Sequence, residues 1–253
     1  MYNKICEVIK YVISEFEKIN QLTNYWKEPI IEIISVKNPE LNVLKKIISN
    51  DHLLPYDILP EARSIISFFI PFQDIIVNSN IGGIMASKEW SIAYIKTNEL
   101  IKIINDKIEE LMKQNGYKTG KIPATHNFDK NKLISNWSHR HIAYIAGIGT
   151  FGINNMLITM NGCCGRFGSI IISYEFKEYK EIKNVKEKCL NKINGTCGIC
   201  QKKCVLNAYQ NNNFNRHICY EQCLKNDEYH KAEGFSQVCG KCLVGLPCSI
   251  KEP

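Results

Sequence analysis

At 253 residues, with 45% hydrophobic and 23% charged residues, the chain can bury a full core as one large domain or two ordinary ones, and its composition excludes long disordered segments. Its longest apolar runs, such as residues 65–71, are too short to cross a bilayer, and residues 1–7 carry charge without an apolar centre. No membrane partner and a cytoplasmic location are therefore expected for a chain of formal charge +7.

In residues 4–19, Ile5, Val8, Ile9, Val12, Ile13, Phe16 and Ile19 recur three and four apart among Lys and Glu, which predicts an amphipathic helix. After Pro29, residues 30–36 predict a buried strand, and residues 41–48 a shorter helix. Pro55 and Pro60 bracket a loop. Residues 63–72 are β-branched and aromatic almost throughout, a central strand stopped by Pro71. Gly82 and Gly83 mark a turn. Apolar residues at helical spacing over 88–114 predict the longest helix, ended by Asn115 and Gly116, and a short extended piece over 117–124 returns to the sheet.

Residues 138–146 predict a further helix, ended by Gly147. The segment that follows, with Gly147, Gly149, Phe151, Gly152 and Asn154, is a glycine-punctuated turn running into a strand. Asn161-Gly162 then opens a hairpin whose return strand covers 167–176. The glycines have G-x-G-x-x-G spacing, but a dinucleotide fingerprint needs a strand before it and a helix after it, the reverse of the order here. Their expected use is close approach of the backbone to a bulky flat ligand.

Nine of the twelve cysteines fall between Cys189 and Cys248. Two C-x2-C units, Cys197/Cys200 and Cys239/Cys242, are each followed by one more cysteine, Cys204 and Cys248. In a two-cluster ferredoxin repeat, three cysteines of a motif hold one [4Fe–4S] cluster and the fourth crosses to the other. That pattern assigns Cys189, Cys197, Cys200 and Cys248 to one cluster and Cys204, Cys219, Cys239 and Cys242 to the second. Cys223 is left over, one helical turn from Cys219, and could exchange roles with it. Two four-cysteine zinc sites are the competing reading, and disulfides are disfavoured in a reducing compartment. Bound clusters would reduce the formal charge to about +3. Lys183, Lys186, Lys188, Lys192, Lys202 and Lys203 crowd the first motif, either as a field for reduced clusters and acidic partners or as solvated surface.

With those residues placed, the chain resembles the epoxyqueuosine reductase family and the related reductive dehalogenases. The resemblance runs through the strand at 62–72, the long helix with Gly116-Tyr117 after it, the segment 146–152 with Asn154, Leu157 and Ile158, and the cysteine module. It implies an α+β fold: an N-terminal α/β domain over 1–180 with a mixed, largely antiparallel sheet, and a ferredoxin-like double [4Fe–4S] domain over 181–253. It also implies an oxidoreductase in which the clusters relay electrons to a cobalamin bound near Gly147, Gly149, Phe151, Gly152 and Asn154. A reduced ferredoxin or flavodoxin-type donor would supply those electrons. The substrate would be a small molecule or a modified nucleoside; tRNA is permitted but not indicated, and no counterpart is expected of the C-terminal extension that some members carry for tRNA.

The chain departs from the family at the proton donor. Members place an aspartate just before the helix of the glycine segment, where Leu133 stands in an ungapped register. Asp129, one turn earlier, and His139, better matched to neutral pH, are the substitute catalytic candidates. His139 and His141 are two apart on a helix, so at most one faces a pocket. Cys163-Cys164 reads either as a pair of small turn residues or as a redox centre, and Arg166 either as an anion holder or as a solvated side chain. A non-catalytic electron-transfer or redox-sensing protein, or a reductase reactivating a partner's corrinoid, are the competing functions.

Overall fold

A computed structural model of the chain describes residues 1–123, 128–177, 185–210 and 213–253. Its helices in chain order are α1 (Tyr2–Asn20), α2 (Glu40–Ile47), α3 (Pro55–Ile58), α4 (Asp74–Ser79), α5 (Lys88–Gln114), α6 (His139–Ile145), α7 (Leu190–Asn194), α8 (Ile199–Lys202) and α9 (Arg216–Tyr229). Its strands are β1 (Ile30–Ser35), β2 (Ser64–Pro71), β3 (Thr119–Lys121), β4 (Phe128–Asp129), β5 (Ile134–Ser135), β6 (Gly149–Phe151), β7 (Leu157–Thr159), β8 (Gly165–Ile172), β9 (Tyr209–Gln210) and β10 (Asn213–Phe214).

The central sheet has the order β1-β2-β8-β3, and every described strand pairing is antiparallel. β2 is buried along its whole length, because its nearly uninterrupted apolar sequence is covered on both faces. Side chains alternate across a strand. Ile66, Phe68 and Ile70 therefore pack with α1 and α5, while Ile65 and Phe69 pack with α2 and α6. Each fully buried side chain of this size contributes about 1.5–3 kcal/mol. The result is an α/β/α sandwich whose sheet connects by antiparallel pairing.

α5 begins where Ser87 accepts a hydrogen bond from the Trp90 N–H at 3.1 Å, a side-chain N-cap. It ends before Gly116, whose φ of +79° carries the chain into the left-handed region. The span 88–114 is thus the helix that the periodicity predicts. The bracketed loop at 55–60 differs: Pro55 opens the short helix α3, a first-turn position that suits its fixed φ. Of the extended piece predicted over 117–124, β3 covers Thr119–Lys121, and residue 124 lies outside the described residues.

The hairpin expected at Asn161-Gly162 needs correction. β7 pairs with β6, and β8 pairs with β2 and β3. Between them Gly162 adopts φ +78° with the backbone of Ser249 and Ile250 against it; a Cβ there would come within 2.4 Å of the Ser249 carbonyl oxygen. The tight turn itself forms, since Thr159 and Gly162 exchange both backbone hydrogen bonds at 3.0 and 3.1 Å, but β7 and β8 do not go on to pair, and the turn also docks a distant segment.

The expected boundary between two domains, 180/181, falls outside the described residues. Leu243 and Val244 lie in the same core cluster as Trp90, Ile158 and Cys163, so one hydrophobic core runs from the sheet into the cysteine module.

Candidate functional site

The cysteine segment is held onto the sandwich by polar contacts to its backbone. Lys241, a buried lysine, donates to the Asn80 carbonyl at 3.0 Å and to the Gly82 carbonyl at 2.6 Å. Asn80 donates in turn to the Cys239 carbonyl at 3.0 Å, and Asn226 of α9 donates to Val238 while accepting from the Ala86 N–H. Buried backbone acceptors need such partners. These contacts fix the loop of Cys239 and Cys242 beside the start of α5.

Two groups of cysteines result. Cys189, Cys197, Cys200 and Cys248 line one small pocket, beside Gly152 and Asn154. Cys204, Cys219, Cys223, Cys239 and Cys242 line one side of a much larger cleft of about 730 Å³. The electrostatics divide the same way. Burial, then the neighbouring Cys248, Cys189 and Cys197, push the Cys200 thiol up to about 11. Burial, then Cys219 and Cys204, push Cys239 up to about 11, and Cys242 is raised further by burial and by Cys219, Cys239 and Cys204. Cys204 thus sits with the second C-x2-C unit and Cys248 with the first. Buried thiols that raise one another's pKa are a donor set whose charge Lys241 and Arg140 offset only in part, which suits an iron–sulfur core. Among the described residues no three His, Cys, Asp or Glu side chains converge as they would around a single metal ion.

Cys223 faces the same way as Cys219 one turn earlier. Its thiol hydrogen-bonds the Cys219 sulfur, which lowers the pKa of Cys219 and raises that of Cys223. Cys163 and Cys164 are buried; the Cys164 thiol donates to the Leu243 carbonyl at 3.3 Å, and the Cys163 thiol meets that of Cys248. Of the lysines near the first motif, Lys188 pairs with Glu252, Lys192 with Glu187, and Lys203 donates to the Val244 carbonyl. Lys183 lies outside the described residues.

The glycines expected to approach a flat ligand do other work. Gly147, at φ +79°, ends α6: its N–H and that of Ile148 close back on the carbonyls of Tyr144 and Ala143. At Gly149 a Cβ would lie 2.2 Å from the Ile158 carbonyl oxygen, so this glycine permits the close pairing of β6 with β7. Gly152 packs on Asn154 and Ile158. From this segment Phe151 and Asn154 do reach the cleft. Asn154 donates to the Cys242 carbonyl at 3.2 Å and accepts at its own carbonyl from the Tyr209 hydroxyl at 3.0 Å.

Neither proton-donor candidate lines the cleft. Asp129 is exposed in a separate shallow pocket, where its carboxylate accepts from the N–H groups of Lys132 and Asn131, which lowers its pKa. The burial expected to raise it is absent. His139 is buried with both ring nitrogens engaged, by the Ser169 hydroxyl and the Pro123 carbonyl, and desolvation lowers its pKa to about 4. Leu133 does line the cleft, at φ +51°, and so does His141, whose Nδ1 lies 2.7 Å from the Ser138 hydroxyl.

Arg140 of α6, Arg166 of β8 and Arg216 of α9 all line the cleft as a cationic wall. Sequence reasoning offered Arg166 as an anion holder, as one of two readings, and missed that Arg140 and Arg216 join it; their only signal was the rarity of arginine in a lysine-rich chain.

The fold is similar to that of solved structures of epoxyqueuosine reductases. The enzyme from Streptococcus thermophilus matches at 16% identity with a TM-score of 0.53, over 94% of this chain and 67% of that one. The enzyme from Bacillus subtilis, with its catalytic aspartate loop swung out of the active site, matches at 16% with a TM-score of 0.55, over 95% and 66%. A complex of the enzyme with an epoxyqueuosine-modified tRNA-Tyr stem loop matches at 16% with a TM-score of 0.56, over 95% and 66%.

The chain has the epoxyqueuosine reductase fold.

It spans about two thirds of the length of these reductases. No protein-family model and no curated protein matches it. Among the described residues no helix is long and apolar enough to cross a membrane.

Proposed function

We propose that the chain is an iron–sulfur oxidoreductase of the epoxyqueuosine reductase type, reducing a substrate bound in the large cleft. The observation that carries this reading is the sorting of nine cysteines into crossed groups of four and five, the second of which forms a wall of that cleft. Two [4Fe–4S] clusters would supply one-electron transfer and a cobalamin the reduction itself. Cys189, Cys197, Cys200 and Cys248 would hold the cluster remote from the cleft, and Cys204, Cys219, Cys239 and Cys242 the one beside it. Phe151 and Asn154 would contact the corrinoid, and a ferredoxin or flavodoxin-type protein would be the donor.

Among this chain's own residues, Asp129 is the remaining carboxylate candidate for proton delivery, and its hairpin β4–β5 must swing inward to bring it to the cleft. The Bacillus subtilis reductase, with its aspartate loop displaced, offers a parallel for such a movement. His139 is assigned a structural role. The substrate class extends to a modified nucleoside, in tRNA or free.

Anaerobically purified protein should hold about eight irons and eight acid-labile sulfides per chain. Added hydroxocobalamin should bind, and its spectrum should change under reducing conditions. Stoichiometric zinc with no labile sulfide would end the electron-transfer reading, and an unaltered corrin spectrum would leave an electron carrier only.

A further inference from the structure

The chain has only four arginines among 32 basic residues, and three of them, Arg140, Arg166 and Arg216, line this large cleft. Among the described residues no Asp or Glu lines it. The three come from α6, β8 and α9, far apart in sequence, yet Arg140 lies within the field of both others: burial, then Arg166, hold its pKa down, with a smaller contribution from Arg216. Gathering like charges in a partly desolvated wall is costly unless something of opposite sign completes it. The cysteine thiols account for part of this, since Arg140 lowers the pKa of Cys219.

Arg166 is not accounted for. Its guanidinium carbon stands 4.4 Å from the centre of the Tyr94 ring, a cation–π contact beside which the same tyrosine side chain also takes a hydrogen bond from the guanidinium. Its Nε is buried with no hydrogen-bond partner, and so is Nε1 of Trp90, a side chain only 2% exposed that lines the same cleft. Buried donors without acceptors call for a group that only accepts. The planar guanidinium fork matches phosphate or carboxylate oxygens two at a time.

We propose that this cleft is an oxyanion site, in which Arg140 and Arg166, with Arg216 at the mouth, receive a phosphate or carboxylate group of the bound ligand. The proposal deepens the redox reading of the same cleft and rests on it for the ligand's role, while the binding step is measured separately.

The test titrates the anaerobically purified full chain with inorganic phosphate and with acetate at constant ionic strength, followed by calorimetry. Saturable binding of at least one anion is expected. Arg140→Gln and Arg166→Gln should each weaken it about tenfold or more, Arg166→Lys less, and Arg63→Gln, outside the cleft, not at all. Hydroxocobalamin and cobinamide, which lacks the phosphodiester, distinguish the source. If the corrinoid carries the anion, Arg166→Gln weakens only the former; if the substrate carries it, the two corrinoids respond alike and the anion site persists. No saturable binding of either anion, or an equal loss in Arg63→Gln, overturns the proposal. It is also overturned if Arg140→Gln and Arg166→Gln lose iron while anion binding is unchanged, because the arginines then serve the thiolates alone. A protein without iron or sulfide that still binds phosphate through these arginines would remove the redox reading and leave the oxyanion site standing.

Discussion

His139 Nδ1 lies 2.8 Å from the hydroxyl of Ser169 on β8, and that hydroxyl in turn accepts from Trp137 Nε1 at 3.1 Å. Because the Pro123 carbonyl can only accept, the neutral histidine carries its proton on Nε2, and its Nδ1 accepts the serine proton while Trp137 donates to the same hydroxyl oxygen. The ring is a fixed neutral link between α6 and the sheet.

Stability should therefore depend on pH in a stated direction. The folded pKa of His139 is about 4, against about 6.5 unfolded, so between those values the unfolded chain binds a proton that the folded one refuses. Stability falls as pH drops through this window and is flat above it, by about 3 kcal/mol in full. His141, also held to about 4 by burial, adds to the slope. Urea unfolding at pH 7, 6 and 5 should show a shallower loss in His139→Gln than in the parent chain; an unchanged slope would exclude His139 as its source.

The crossed grouping of cysteines has a spectroscopic consequence. Cys204→Ser should perturb the same EPR signal as Cys239→Ser, and Cys248→Ser the same one as Cys197→Ser. Cys223→Ser should retain both. Pairing by nearness in sequence would show that the spatial grouping does not govern ligation.

Gly240 stands between Cys239 and Cys242 at φ +74°, and a Cβ on it would come within 2.4 Å of the buried Trp90 ring. Gly240→Ala should cost about 2–4 kcal/mol in urea unfolding, combining left-handed strain with overpacking. It should also lower occupancy of the site beside the cleft. A substitution without effect would mean that Trp90 and this loop separate easily.

Asp129→Asn should leave stability within about 0.5 kcal/mol, since the side chain is exposed. If its loop swings in to deliver a proton, turnover in a working substrate assay should fall about a hundredfold or more, with cluster signals and corrinoid binding intact. Normal turnover would remove Asp129 from the reaction.

The parts of this fold legible in the sequence are those whose pattern is local. The stripe from Ile5 to Phe16 and the run from Trp90 to Met112 define α1 and α5, and the apolar run at 64–71 defines a strand covered on both faces. Pairing is not local: nothing in residues 157–172 tells that β7 turns back to β6 while β8 crosses to β2. A glycine states that a side chain is unwelcome, not what excludes it, which is why Gly147 and Gly149 suggested a ligand where the structure has a helix end and a neighbouring strand. The nearness of Cys204 to Cys239 and Cys242, and of Cys248 to Cys197 and Cys200, was legible because the spacing of cysteines is itself a sequence pattern. The arginines were not, because positions 140, 166 and 216 meet only through the fold.

The N–H groups of Cys163 and Cys164 donate to the carbonyls of Cys248 and Ser249, and Lys27 reaches the Ile250 carbonyl. A growing polypeptide leaves the ribosome from its N-terminus, so the β7–β8 connection has been made some eighty residues before the segment that satisfies it. Until then those amides, and Cys163 itself, stay accessible. The sheet can form during synthesis, but the start of β8 at Cys163 can be sealed only afterwards, when the segment bearing Cys248 arrives and completes the first cysteine group.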